Sequence, residues 1–453
     1  MSCYTAVILA AGKGTRMKSE LPKVMHRMAG RPLLEHVLDK VQQLGIAEVL
    51  TIVGHGREIV AEYLAGRTKI VVQEEQLGTG HALRQALPYL KDDSTVLVLS
   101  GDQPLLSLET LQRLLALHQE SGAAATVLTA IMANPFGYGR ILKHDGLFRG
   151  IIEEKDADLK QKEIKEINTG TYCFQSSFLQ AALQKITPQN VQGEYYLTDV
   201  FKVLIAEGVK IETFCTEDPS EALGINNRVQ LAEAEEIMYD RIRKRWMMEG
   251  VTIVNPSSVF VDDQAVLAKD VVLLPFTFIK GKTRIEEGAV IGPGTTLIDC
   301  ECRKGCQVEN SVARGAIIGE QAVVGPFAYL RPGTVLAQGV KVGDFVEIKN
   351  SVIGEGSKVP HLSYIGDSHL GKNVNIGAGT ITCNYDGKNK YPTVIGDNSF
   401  VGSNTNFVAP VEIGPEAIIG AGSTITKDVP AKALALERSQ QKIIENWQKA
   451  KDK

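Results

Sequence analysis

The chain has 453 residues, 44% of them hydrophobic and 23% charged, with a formal net charge of -4. That balance fits a soluble globular protein of more than one domain and excludes a global basic field for nucleic acid, although cations gathered in a site can still hold anions. No apolar run approaches the ~20 residues that span a bilayer, so neither nucleic acid nor membrane is an expected partner.

The N-terminal "MSCYTAVILAAGKGTRM" has no basic leader region, and its apolar run reads as a first strand rather than a signal peptide. The seven cysteines are scattered and odd in number, the pattern of free thiols in a reducing cytoplasm. Cys300, Cys302 and Cys306 cluster without a CxxC pair or a nearby histidine. They read as structural or surface thiols rather than a zinc site.

The first strand runs into "AAGKGTRM". Walker A spacing fails here, and the dinucleotide fingerprint GxGxxG fails at Met17, where the third glycine belongs. Gly12 and Gly14 let backbone N–H groups approach an anion, while Arg16 and Lys23 bring charge to it. Several phosphate charges held together suit a nucleoside triphosphate and its departing pyrophosphate.

Next comes "RPLLEHVLDKVQQLG", a helix with Pro32 in its first turn, one face made by Leu34, Val37, Leu38, Val41 and Leu44, and Gly45 as its stop. The runs "TAVILAAG", "EVLTIVGHG", "TKIVVQEE" and "STVLVLSGD" read as strands. Alternation of strands and helices implies a Rossmann-like α/β domain with a mainly parallel sheet covered on both faces. Ligands bind outside the carboxyl ends of such strands, which gathers the loops "GKGTRM", "GHG", "QEEQLGTG" and "GDQP". Asp102 follows the fourth strand. It is either a turn-forming aspartate before Pro104 or a carboxylate holding Mg²⁺ against phosphate, and the basic glycine loop on the same sheet favours the metal.

From Arg228 to Glu249 the chain is rich in Ala, Glu, Leu, Arg and Met and is followed by Gly250. It predicts a long linker helix over 228–249, between a domain at 1–227 and another at 250–453. Beyond it an aliphatic residue followed by glycine keeps returning. From Gly319 onward these glycines are spaced 6, 18, 11, 12, 5, 6, 19, 6, 12 and 6 residues apart. A period of six marks a parallel β-helix whose aliphatic residues point inward. The spacing of 19 contains "TCNYDGKNKYPT", a loop pushed out of the coil. The phase also slips around "KVPHLSYIGDSHLG", which holds His361 and His369.

Histidine is a candidate general base, since its unperturbed pKa of about 6.5 lies near working pH. A lone histidine is more often structural. Tyr364 nearby, with Arg331 and Lys349 on preceding coils, shifts the balance, but spacing alone does not rank His361 above His369. The tail "RSQQKIIENWQKAKDK" reads as a polar helix with a basic end.

"LAAGKGTRM" with "PK" beyond it is similar to the signature of sugar-nucleotide pyrophosphorylases. The further set "QLGTGHA", "GDQPL", "GYGRI", "INTG", "GEYYLTD" and "GINNR" resembles the bifunctional N-acetylglucosamine-1-phosphate uridylyltransferase/glucosamine-1-phosphate N-acetyltransferase family over nearly the whole chain. The resemblance implies that UTP sits on Leu9, Ala10, Ala11 and Gly12, with Arg16 and Lys23 on its phosphates and Gln73, Gly78 and Thr79 on the nucleotide. It implies Asp102 and Asn226 as the Mg²⁺ pair, and Gly139, Glu153 and Asn168 around the sugar of N-acetylglucosamine 1-phosphate. From spacing alone Asn168 and Asn226 are turn caps and Glu153 lies in an exposed charged run.

The same match makes His361 the acetyltransferase base. Arg331, Lys349, Tyr364 and Asn375 hold glucosamine 1-phosphate, and Ala378, Asn384, Tyr385, Ser403, Ala421 and Arg438 line the acetyl-coenzyme A site. Ser100 and Pro360 depart from the family's tyrosine and glycine. The family further implies a left-handed β-helix, a homotrimer and a cytoplasmic enzyme that makes UDP-N-acetylglucosamine for cell-wall synthesis. One rival is a single-activity sugar-1-phosphate nucleotidylyltransferase with an oligomerising coil; another is a non-catalytic sugar-nucleotide scaffold.

Overall fold

The computed structural model describes residues 3–447. The chain divides between Met238 and Tyr239 into two compact units, the boundary falling inside one helix, Arg228–Met248.

In the first unit the strands of the main sheet are Cys3–Ala10 (β1), Glu48–Val53 (β2), Lys69–Val72 (β3), Ser94–Ser100 (β4), Ala125–Ile131 (β5), Arg140–His144 (β6), Leu147–Ile152 (β7), Glu166–Gln175 (β8) and Ile211–Cys215 (β9). They form one sheet in the order β9-β5-β8-β4-β1-β2-β3, with the β6–β7 hairpin joined to β8. The β4-β1-β2-β3 block is parallel. Strand β8 is antiparallel to both its neighbours, so the sheet is mixed rather than uniformly parallel. Its register breaks between Asn168 and Tyr172, where Gly170 takes φ +84°. A bulge of this kind frees two or three residues from the ladder and re-aims their side chains.

Alternate residues of β1 feed two different cores: Val7 joins one, Ala6 and Ile8 the other. This is the two-faced burial that makes parallel strands read as unbroken apolar runs. The helix Leu33–Gln43 buries Leu34, Val37, Leu38 and Val41, with Pro32 as its N-cap and Gly45 at φ +72° beyond its end.

His118, on the helix Leu108–Ser121, is 2% exposed and shares a 2.9 Å hydrogen bond with Thr126 Oγ1. Burial pushes its pKa down from 6.5 to about 4. The folded form therefore keeps this ring neutral while the unfolded chain protonates it below 6.5. Its contribution is fully present above pH 6.5 and is lost as pH falls from 6.5 toward 4, to the extent of about 3 kcal/mol. His118→Gln keeps a partner for Thr126 without a titrating ring. Melting curves between pH 4 and 7 are expected to show a shallower acid loss for the variant. An unchanged slope would remove His118 from the acid limb.

The second unit is a left-handed parallel β-helix. Its short strands stack into three parallel sheets of eleven, ten and nine strands. The aliphatic residues before the repeated glycines, among them Ile291, Ile318, Val324, Val342, Ile365, Ile376, Val401 and Ile419, are at most 1% exposed and fill the coil. Cys300, Cys302 and Cys306 are buried in it as well. Cys306 against Cys302, together with burial, holds the Cys302 thiol well above its ordinary pKa. Among the described residues no group of three or more His, Cys, Asp or Glu is placed to hold a metal.

One turn is 18 residues where Val323 pairs Lys341, 17 where Arg284 pairs Glu301, and 16 where Thr296 pairs Val312. The phase slip around His361 is thus one of several rather than a mark of that site. The long turn, Asn375 to Phe400, extrudes the loop between the strands Ile381–Cys383 and Thr393–Ile395, as its spacing predicts. The tail differs from expectation. Residues 436–444 form no helix; at the start of this stretch Glu437 N donates to Ser423 Oγ and Arg438 Nη1 to Ala421 O on the last coils. Residues 448–453 lie outside the described part.

Candidate active sites

At the carboxyl ends of β1 and β4 lies a cleft of about 520 Å³, lined by Leu9, Ala10, Ala11, Gly12, Lys13, Gly14, Thr15, Arg16, Lys23, Gln73, Gln76, Gly78, Thr79, Ser100, Asp102, Glu194 and Asn226 among others. Every residue assigned to UTP or metal by resemblance is in it. Gly14 has φ +60°, and a Cβ there would meet Lys23 Cβ at 2.9 Å, so glycine is what lets the loop close on Lys23. The "GHG" loop acts from behind. A Cβ on Gly54 would lie 2.7 Å from Ala11 O, so this loop supports the phosphate loop rather than lining the cleft.

Lys23 Nζ is paired with Asp102 Oδ2 and donates to Asn226 Oδ1 at 3.2 Å; Arg16 Nη2 donates to the same Oδ1 at 3.0 Å. Asp102 and Asn226, far apart in sequence, meet because Ile225 N donates to Asp102 O at 3.0 Å. Two hard oxygens therefore converge on one ammonium. This donor set suits Mg²⁺, which takes one or two protein oxygens and fills its octahedron with water and phosphate.

Gln73 is 3% exposed. Its Nε2 meets Gly78 O at 3.1 Å and His81 Nδ1 at 3.0 Å, which leaves Oε1 as the atom available to a nucleobase. Gly78 has φ +108°, and a Cβ there would lie 2.6 Å from Tyr195 O. Thr79 Oγ1 accepts from Leu197 N at 3.1 Å, so "QLGTG" and "EYYLTD" are clamped together.

Gly139, Glu153 and Asn168 form a second group, outside the lining of the cleft. A Cβ on Gly139 would lie 3.4 Å from Glu153 Oε2 and 3.5 Å from Asn168 Cβ. Asn168 Oδ1 accepts from Gly170 N, and its Nδ2 donates to Tyr172 Oη at 2.7 Å, so Asn168 does cap the bulge of β8. Glu153 is half-buried rather than exposed and accepts from Thr198 Oγ1 at 2.9 Å. Burial raises its pKa. Sequence reasoning missed Gln103. It is 5% exposed, its Nε2 donates to Thr169 O, and it ties the bulge to the turn carrying Asp102.

The second unit brings the acetyltransferase set together through register. Asp344 pairs His361. Lys358 pairs Asn375, Asn375 pairs Phe400 and Phe400 pairs Ile418, which aligns His361 with Ala378, Ser403 and Ala421. These residues form one column at a corner of the prism, and Arg438 Nη1 bonds Ala421 O at its end. His361 Nδ1 is 2.7 Å from Asp344 Oδ1. The imidazole beside Asp344 holds that carboxyl below its usual pKa. His369 pairs instead with Val352 and Val394 on another sheet. Geometry thereby ranks the two histidines where spacing did not.

Arg331 follows Leu330, whose partner is Ile348, so Arg331 and Lys349 stack on successive coils. Lys390, from the extruded loop, lies against Lys349 and lowers its pKa, with Arg331 adding to the effect. Three cations so gathered suit an anionic group such as a phosphate, and Lys390 was not foreseen. Asn384 is 6% exposed with Nδ2 bonded to Asp367 Oδ2, while Tyr385 donates to Gly387 O inside its own loop. Tyr364 and Asn375 are half-buried on neighbouring faces.

Asp344→Asn keeps the shape and removes the charge facing Nδ1. Acetyl transfer is expected to fall about 10- to 100-fold in kcat with little change in KM, since the ring loses its oriented tautomer rather than a substrate contact. A kcat within twofold of the parent would sink that role.

Residues 6–149 match the MobA-like NTP transferase domain, residues 392–427 the bacterial transferase hexapeptide (six repeats), and residues 312–407 the GMPPB C-terminal domain. The fold and the two sites define a nucleotidyltransferase joined to a hexapeptide-repeat transferase. The bifunctional protein GlmU of Desulfitobacterium hafniense (strain DSM 10664 / DCB-2) is 60% identical over all of both chains. That of Heliobacterium modesticaldum is 57% identical over 98% of this chain and 97% of its own, and that of Carboxydothermus hydrogenoformans 52% over 98% and 99%. The chain belongs to the bifunctional GlmU family.

Proposed function

We propose that the residues gathered above divide two reactions between the two units of this bifunctional enzyme, which makes UDP-N-acetylglucosamine. The observation that carries the reading is the corner column: a histidine paired with a carboxylate, three small residues in line with it, and a cationic trio on the next face. A coil that only oligomerises needs none of these.

In the second unit Asp344 accepts a hydrogen bond from the Nδ1–H of His361, leaving Nε2 free as a base. The amine of glucosamine 1-phosphate, its phosphate held by Arg331, Lys349 and Lys390, attacks the thioester carbonyl of acetyl-coenzyme A. An N–C bond forms, the C–S bond breaks, and Nε2 takes the amine proton and passes it to the leaving sulfur, so that coenzyme A departs as the thiol. The small side chains of Ala378, Ser403 and Ala421 leave room for the donor's long arm, with Arg438 toward its far end.

In the first unit the N–H groups around Gly12 and Gly14, with Arg16 and Lys23, receive the triphosphate of UTP. Gln73 Oε1 accepts from the imide N–H of uracil, a donor that cytosine lacks. A phosphate oxygen of N-acetylglucosamine 1-phosphate attacks the α-phosphorus in line and forms a new P–O bond, while the bond from that phosphorus to the oxygen bridging the β-phosphate breaks and pyrophosphate leaves. Asp102 and Asn226 would hold Mg²⁺, whose chemistry is to neutralise charge on the phosphates. Gly139, Glu153 and Asn168 seat the acetamido sugar.

The assembly is a homotrimer in this reading. Phe327, Phe345 and Leu362 are each about 60% exposed and stand on successive coils beside the Asp344–His361 column, the two rings stacked at 5.5 Å. All three have positive φ, an uncommon conformation for bulky side chains. An apolar ridge kept at that backbone cost fits burial against a second copy. Free thiols among the described residues, together with the two co-substrates, support a cytoplasmic enzyme in this reading.

The test is a paired assay on one preparation: thiol released from acetyl-coenzyme A with glucosamine 1-phosphate, and pyrophosphate released from UTP with the acetylated product. Both are expected. Pyrophosphate without thiol would reduce the β-helix to a scaffold.

A further inference from the structure

The loop extruded from the coil is rooted on one residue, Asp367. Tyr391 N donates to Asn384 O at 2.9 Å and Tyr385 bridges to Lys390, so the loop has a closed neck. Both sides of that neck bond to Asp367 on the coil before. Asn384 Nδ2 donates to Asp367 Oδ2, and Thr393 N donates to Asp367 O at 3.3 Å. Toward the preceding coil Asp367 N donates to Lys349 O at 3.0 Å, and Asp367 Oδ1 accepts from Asn350 Nδ2 at 2.7 Å.

Asn384 is 6% exposed, and among the described residues Asp367 is the only hydrogen-bond partner of its side chain. A carboxylate accepts and does not donate, so it draws the NH₂ of the amide to itself and leaves Oδ1 for a ligand. Without that carboxylate nothing chooses between the two ends of the amide. Gly366 makes the close approach possible. A Cβ there would lie 2.8 Å from Asn384 Nδ2 and closer still to Tyr364 Oη. The charge of Asp367 is also felt by the cations: Lys390 lowers the pKa of Lys349, and Asp367 works against that shift.

From these bonds we infer that Asp367 is a positioning residue of the acetyltransferase site, which turns the Asn384 amide so that its oxygen serves acetyl-coenzyme A. The long arm of that donor carries amide N–H groups, the partners such an oxygen suits. The inference rests on the reading that Asn384 belongs to the acetyl-coenzyme A site.

The test is steady-state acetyl transfer by the full-length protein, with each substrate varied in turn. Asp367→Gly removes the carboxylate without backbone strain, since φ is +49° there. Its KM for acetyl-coenzyme A is expected to rise about three- to tenfold, the loss of one hydrogen bond. Its kcat should stay within about threefold, which also reports a folded coil. The KM for glucosamine 1-phosphate should stay level or fall, because a negative charge near its cations is gone. Asp367→Asn should restore the KM for acetyl-coenzyme A. Exposed Asn350 can turn to accept the new NH₂, so the amide oxygen stays with buried Asn384. A parent-like KM for acetyl-coenzyme A in Asp367→Gly overturns the inference. So does a similar rise in both KM values, which would make Asp367 a loop anchor only, and so does failure of Asp367→Asn to restore. Asn384→Ala separates the two levels. If it leaves the KM for acetyl-coenzyme A unchanged, the assignment of Asn384 fails and the inference falls with it.

Discussion

His361→Ala is expected to lower acetyl transfer by about 10²- to 10⁴-fold, the usual contribution of a positioned general base. Uridylyl transfer should be unchanged, because the loop, the metal pair and the sugar group are all built within the first unit. Thiol release and pyrophosphate release from one sample give both numbers. The geometry also predicts non-additivity. Asp344 acts through His361, at 2.7 Å from its Nδ1, so Asp344→Asn should cost nothing further once His361 is alanine. A double variant clearly slower than His361→Ala would give Asp344 a separate role. Retention of a tenth or more of the parent rate by His361→Ala would remove the histidine from the chemistry altogether.

Asp102→Ala is expected to reduce uridylyl transfer by about 10²- to 10³-fold, on the scale of removing one preorganised electrostatic contact from a charge-building transition state. The salt bridge to Lys23 gives the loss a particular form. Side chains of both partners are under a fifth exposed, so the ammonium is held by Asp102 until phosphate arrives. Deleting the carboxylate frees Lys23 for the ground-state triphosphate. The KM for UTP should therefore stay level or fall while kcat drops, and the Mg²⁺ concentration for half-maximal rate should rise. Acetyl transfer again serves as the control. A rise in the KM for UTP with kcat preserved would make Asp102 a binding residue and nothing more.

Much of this was legible in the sequence. The phosphate loop is local: Gly12, Gly14, Arg16 and Lys23 lie within a dozen residues, and their types alone call for an anion. Asp102 could be placed beside them because the carboxyl ends of parallel strands face one way. The coil was legible through its glycines, as each close approach of backbone excludes a side chain. At Gly343 a Cβ would lie 1.9 Å from Pro360 O. Where a local reading failed, a tertiary bond had won. The tail expected to be helical is tied at Glu437 and Arg438 to Ser423 and Ala421, and a short isolated helix has little of its own to set against such anchors.

Composition and spacing by themselves thus determined a two-domain chain, a phosphate loop with its carboxylate, and a period-six coil with a histidine near the extruded loop. Only the tertiary structure decided which residues meet. Successive turns of 17, 17, 25 and 18 residues set the register that lines up Asp344, His361, Ala378, Ser403 and Ala421, and no fixed period could have told this. The bulge in β8 re-aims Asn168, the return of Gly224–Asn226 to Asp102 brings together two candidate metal ligands far apart in the sequence, and Lys390 reaches Lys349 from a loop outside the repeat. The division has a simple physical basis. A periodic or local pattern is written in neighbouring residues, whereas a site assembled across turns depends on how many residues each turn consumes, and packing settles that number.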